Sequence, residues 1–376
     1  MMKTEIQSTA DLVPSTILAS SDHRLTLQAR LAPTAGRDRF QPAGFPEIGH
    51  VIYDSPQGED GRQKVCIVDS AASMANHLET VCHAGPFGMD LHPDLKGLPH
   101  VVCVTDDDKG GKSRVVVTTL SEGHRLASSL FMDSRSIIEA PDPIKGKNFG
   151  KVLLKEEFKL EDLGKRSHPL PADWWNVFSA IFKYDPNSLV HGILFPSMGI
   201  KIPRVLTAQM DAFGAARVTS SGVKFDKLLM TTSGQPIFSK DEETAEEIRA
   251  TFVIDLALVR SFGNESGLTE PQKQFIVAFA LWKIDQLLQH PFRFRSGCDL
   301  EFQDLSINGG EPSDSTPKVQ IANYIENAGF TEPETGRMTK IYWKKDDIFK
   351  KAKDKKDTAE DELDESENEE DMEEST

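Results

Sequence analysis

The chain has 376 residues, 38% of them hydrophobic, and a formal net charge of −16. That apolar content excludes a disordered protein, and the length allows one large domain carrying insertions. The charge would argue against a nucleic-acid partner if it were evenly spread, but residues 357–376 hold twelve acids and no basic residue; removing these from the 59 leaves 47 acids against 43 Lys and Arg, a net of −4. The body is close to neutral and the acid sits in a tail. The four cysteines, Cys66, Cys82, Cys103 and Cys298, form no CxxC pair and lie in apolar contexts, which predicts reduced core thiols, no structural zinc and no cofactor. The amino terminus lacks a basic start followed by an apolar run, and no apolar run reaches membrane-spanning length, so a cytoplasmic chain with no membrane association is expected.

In chain order, residues 1–20 read as a flexible arm. Residues 23–31 alternate, placing Leu25, Leu27, Ala29 and Leu31 on one face and Arg24, Thr26, Gln28 and Arg30 on the other, as in a half-buried strand. Strands follow at 51–53 and 64–69. The second runs into CIVDSAASMANHLETVC, where Asp69 or Ser70 can cap a helix whose apolar stripe is Ala71, Ala75, Leu78, Val81 and Cys82. The β-branched runs at 100–105 and 114–120, flanking DDDKGGK, predict a hairpin. A helix capped by Ser121 then brings His124 and Arg125 to its first turn. Residues 142–171 read as an insertion, 172–184 as an aromatic-rich core helix, and 188–195 as a buried strand. In PSMGIKIPRVLTAQMDAF, Gly199 relaxes a turn and Pro203 suits the start of a helix with Lys201 and Arg204 at its mouth. Strands are expected at 215–221 and 249–262, with an insertion at 222–248 between them. The longest helix, 270–289, opens with a Thr269/Gln272 capping box, and an alternating strand follows at 292–302. Seven lysines in 344–356 precede the acidic tail. The body thus spans 21–343, and strands, hairpins and irregularly spaced helices predict an α+β sandwich instead of a doubly wound parallel sheet.

Four segments together, FQPAGF with VDSAASMANHLE, EGHRLASSLFMDS, LVHGILFPSMGIKIPRVLTAQMDAFGAARVTSS and FRFRSGCDL, resemble in order and spacing the type I-U (I-G) branch of the Cas-seven family of RAMP proteins. The resemblance covers roughly residues 24–300. This chain departs from the family pattern at Met74 and His77, where Gln and Arg are usual, and at SMGIK, which is poorer in glycine. The resemblance implies an RRM-like (ferredoxin-like) core with large insertions including a thumb hairpin. It also implies a non-catalytic subunit that polymerises as a homo-oligomer along CRISPR RNA beside other Cascade subunits, with target DNA read through guide pairing.

On that reading the RNA-facing candidates are Arg24, Asn76, His77, His124, Arg125, Lys201, Arg204, Arg293 and Arg295, since cations at helix starts and on strand faces suit phosphates. The thumb is expected in residues 224–240 with Leu228, Leu229 and Met230 as its apolar wedge, the 101–120 hairpin being the rival position. The competing class is a RAMP-type endoribonuclease in which His77 and His124 act as general acid and base.

Overall fold

The computed structural model describes residues 6–45, 49–56, 62–84, 90–107, 109–140, 144–160, 173–218, 242–289, 292–330 and 338–348. Its main feature is a seven-stranded antiparallel sheet built from β1 (Arg24–Pro33), β2 (Ile52–Ser55), β3 (Gln63–Asp69), β4 (Leu206–Phe213), β5 (Glu247–Asp255), β6 (Phe292–Arg295) and β7 (Cys298–Ile307). The strand order is β6-β7-β1-β5-β4-β3-β2. Its central part, β7-β1-β5-β4, has the order and directions of a ferredoxin-like βαββαβ sheet: β1 first, β4 and β5 as the second and third strands, and β7 returning beside β1. β1 is the half-buried strand expected from its alternation, with Leu25, Leu27 and Ala29 fully buried.

The expected helix after β3 is α1 (Ala71–Thr80). Ser70 caps it by accepting the Ser73 N–H at 3.2 Å, and Met74, Ala75 and Leu78 face the core. Residues 173–184 form the aromatic helix α2, followed by a one-and-a-half-turn helix α3 (Asn187–His191), where a strand was expected. Pro186 at its N-cap favours the helical start, and Gly192 ends it. The longest helix, α4 (Glu270–Leu288), begins as the sequence predicts, with the Gln272 amide oxygen accepting the Thr269 N–H at 2.9 Å. It is buried almost all round, which explains why its hydrophobic residues occupy every face. No helix among the described residues is long and apolar enough to cross a membrane.

A second, four-stranded sheet has the order Arg114–Thr118, His100–Thr105, Met338–Tyr342, Ile137–Ala140. The 100–118 hairpin is as expected. Met338–Tyr342 joins it in parallel, so the carboxy-terminal part of the body closes onto a hairpin more than 200 positions earlier in the sequence.

Several expectations are corrected. Residues 6–20 are not a loose arm: Ile6, Leu12 and Ile17 are buried, and Pro14–Ala19 is helical. Part of the 142–171 insertion belongs to the core through Phe149, Val152, Leu153 and Phe158. Residues 206–213 extend as β4 instead of forming a helix, because Leu206, Ala208, Met210 and Ala212 alternate inward at period two, which overrides the start signal of Pro203. Residues 292–302 are two strands, folded back at Gly297. Within the expected insertion, Glu242–Thr244 is a strand and residues 247–248 open β5. The thumb segment 224–240 with Leu228, Leu229 and Met230, and the acidic tail, lie outside the described residues.

Candidate functional site

An open cleft of about 980 Å³ lies between residues 122–130 and residues 191–204. Its second wall is a short hairpin, Ile193–Phe195 against Ile200–Ile202, turned by Gly199 at φ 64°, a left-handed conformation that glycine adopts without strain. Alternation points Ile193 and Phe195 inward and leaves Leu194 out, directly across from Lys201. An exposed leucine and an exposed lysine therefore share one face. Among the described residues the Lys201 ammonium meets no carboxylate. Arg204, at the end of the hairpin, donates from Nη1 to the Ala71 carbonyl at 3.3 Å, which draws the first turn of α1 to the rim.

The first wall carries His124, whose ring is well exposed and whose Nδ1 lies 3.0 Å from Glu122 Oε1. The expected Ser121-capped helix is absent. Ser121 bonds back to Thr118, and two short helical turns, Arg125–Ala127 and Ser129–Met132, replace it. Arg125 is consequently not a cation at a helix mouth. It is only 8% exposed, sits at φ 51°, and forks onto Glu79 of α1, with Nε to Oε1 at 2.7 Å and Nη2 to Oε2 at 2.8 Å. His124, Lys201, Arg204 and the largely buried Arg125 thus line one cleft.

The other candidates gather elsewhere. Asp69, fully buried at the end of β3, faces Arg295 Nη2 from Oδ1 at 2.8 Å. Arg295 also donates to the carbonyls of Val68 and Gln41, so it braces the sheet instead of facing solvent. His77 Nε2 is 3.0 Å from Asp69 Oδ2, an ion-pair distance without hydrogen-bond alignment, and its ring meets Phe292 and Phe294 edge-on. Ser73 Oγ approaches the same nitrogen at 3.4 Å. A hydrolase triad needs its serine and its carboxylate on opposite imidazole nitrogens, so Ser73, His77 and Asp69 do not form one. Arg293 pairs with Asp299 across the β6–β7 hairpin at 2.5 Å. Asn76 is exposed on α1, and Arg24 is exposed at the start of β1 opposite Asp255.

Against the cleft lies a buried polar network that the sequence reading missed. Asn187 donates to Glu79 at 2.8 Å, and Lys283, fully buried on α4, donates to Asn187 at 2.6 Å and to the Leu78 carbonyl at 3.2 Å. Its Nζ also lies 3.0 Å from His191 Nε2. Burial first, then the Lys283 and Arg125 charges, hold His191 well below the usual imidazole range, so it is neutral. Burial pushes the Asp185 carboxyl up to about 6. The one signal available in the sequence was a glutamate and a lysine at apolar helix positions, since buried charges require partners. The four cysteines are free and buried; burial raises Cys82 and takes the thiols of Cys66, Cys103 and Cys298 up to about 12, which removes them as nucleophiles.

None of the curated proteins matches the sequence. Among solved structures, the chain is similar to Csc2 from Thermofilum pendens, at 12% identity over 88% of this chain and 77% of that one, with a TM-score of 0.30. It is also similar to a chain of a CRISPR RNA-guided surveillance complex in its pre-nicking state, at 11% identity over 81% and 85%, with a TM-score of 0.37. The model of the CRISPR-associated protein GSU0053 family matches residues 25–217, from β1 through both walls of the cleft, and the chain belongs to that family.

Proposed function

We propose that this chain is a CRISPR RNA-binding backbone subunit of a type I effector complex, polymerising along its guide beside other Cascade subunits, with the 122–130/191–204 cleft as a stretch of the RNA path. The observation that carries the assignment to the cleft is the convergence of His124, Lys201 and Arg204 around an exposed leucine, Leu194. Cations engage phosphates without reading sequence, and an apolar surface beside them accepts a sugar or base face. The ferredoxin-like sheet and membership of a CRISPR-associated family support the same reading. Arg24 and Asn76 remain exposed candidates on the same path, while Arg125, Arg293 and Arg295 are engaged in ion pairs.

The direct test replaces Lys201 and Arg204 by alanine together and measures guide binding across a salt series. Loss of two single-strand phosphate contacts should weaken binding and flatten the slope of log affinity against log salt by about 1.4. Unchanged affinity and slope would remove the cleft from the RNA path. The thumb belongs to residues 224–240 on this reading, and deleting 228–235 should leave the monomer folded while abolishing the regular nuclease footprint of the filament.

The geometry does not favour the endoribonuclease alternative. His77 is packed between two phenylalanine rings beside a buried carboxylate, and the cleft that contains His124 is not lined by His77. Incubating the purified protein with guide precursor, with and without magnesium, separates the two readings by whether cleavage appears.

A further inference from the structure

We infer that Glu79, which contributes nothing to the cleft lining, is the residue that positions its two walls against each other. The inference rests on the reading of the cleft as an RNA site. Arg125 belongs to one wall and Gly192 to the other, and the Arg125 Nη1 donates to the Gly192 carbonyl at 3.2 Å, a seam across the cleft floor. That seam requires an arginine held at φ 51°, where a residue with a Cβ is strained. The two parallel bonds to Glu79 fix the guanidinium in the plane from which it reaches Gly192.

Glu79 is itself held from the far side. Asn187 donates to its Oε1, Lys283 donates to Asn187, Lys283 Nζ contacts His191, and the next residue along the chain is Gly192. The polar contacts thus close a ring that runs from the His124 wall through α1, α3 and α4 and back to the Lys201 wall. Every side chain in the ring is at least nine-tenths buried, so the ring is shielded from salt and its geometry is stiff. Neutralising Glu79 leaves Arg125 buried without its counter-charge and frees residues 122–128 to leave the strained conformation. His124 then no longer faces Lys201 and Arg204 at a fixed separation. Glu79 is accordingly a positioning residue.

The test is a double-mutant cycle with guide RNA, using Glu79→Gln, Lys201→Ala and the pair, with each affinity measured well below that variant's own Tm. Glu79→Gln should weaken binding at least about tenfold, and Lys201→Ala should lose most of its effect in that background. A purely structural role lowers Tm but leaves the two effects additive, and additivity overturns the inference. If Lys201→Ala and Arg204→Ala have no effect on their own, the RNA reading has failed and not the coupling. Should Glu79→Gln not fold, Arg125→Lys takes its place: it keeps the charge and one bond but not the fork, and the same non-additivity with Lys201→Ala is required of it.

Discussion

Arg295 and Asp69 stand 2.8 Å apart although 226 positions separate them in the sequence, and the pair ties the edge strand β6 to the end of β3 where α1 begins. Asp69 has no exposed surface, so its carboxylate needs this partner. An arginine that alternation places on a polar strand face is therefore structural. Its carbonyl contacts with Val68 and Gln41 complete the brace.

Arg295→Ala should cost about 2–4 kcal/mol, because breaking one side of a buried pair leaves an uncompensated charge. Urea denaturation measures it, with guide affinity followed in parallel. Intact stability together with weakened RNA binding would return Arg295 to the interface and remove the brace.

Gly192 sits at φ 78°, ψ 157°, a combination essentially limited to glycine, and a Cβ there would lie 2.9 Å from the Ile202 carbonyl oxygen. Gly192→Ala should lower stability by about 1–3 kcal/mol from backbone strain alone and shift the hairpin that carries Leu194 and Lys201. Thermal melts together with guide affinity report both effects. A variant with an unchanged Tm contradicts the geometry of this turn.

Asp185 makes a pH prediction. Burial, reinforced by the neighbouring Glu79 charge, raises its carboxyl to about 6 from 3.8, against the opposing bond from Ser188. The native state therefore keeps a proton that the unfolded chain releases, so this contribution to stability is complete below pH 3.8 and is lost as pH rises through about 6. Asp185→Asn, which cannot ionise, should gain stability relative to wild type across that window, by about 2–3 kcal/mol at its upper end. Unfolding curves at intervals from pH 4 to 7 test this, and a difference that stays flat with pH excludes the ionisation.

The acidic segment 357–376 carries charge of the same sign as phosphate, and the prediction is that it competes with RNA for basic surface. Truncation after Lys356 should raise affinity for unrelated RNA, most strongly at low salt, in a filter-binding titration. Equal affinities at low salt leave solubility as the role of the tail.

Much of the fold was legible. β1, β3, α1 and α4 follow from period-two and period-3.6 patterns with caps at their starts, because these signals are local and burial reinforces them. The α+β class followed from their alternation. Residues 206–213 misled because a proline marks a helix start only where the apolar period that follows is helical, and here the sheet imposed period two. For the site, the sequence offered His124, Arg125, Lys201 and Arg204 as basic residues at expected helix starts and Arg293 and Arg295 on a strand face, and it could not distinguish His124, Lys201 and Arg204 from the rest.

That distinction depends on partners distant in sequence. Glu79 for Arg125 lies 46 positions away and Asp69 for Arg295 lies 226 away. The sequence by itself determined which residues carry charge and, for β1, β3, α1 and α4, which segments become strands or helices, since those follow from side-chain chemistry and local period. Only the tertiary structure decided which charges are buried in ion pairs that hold the fold and which basic residues line the cleft, because burial and long-range pairing, not local pattern, set the cost of leaving a charge alone.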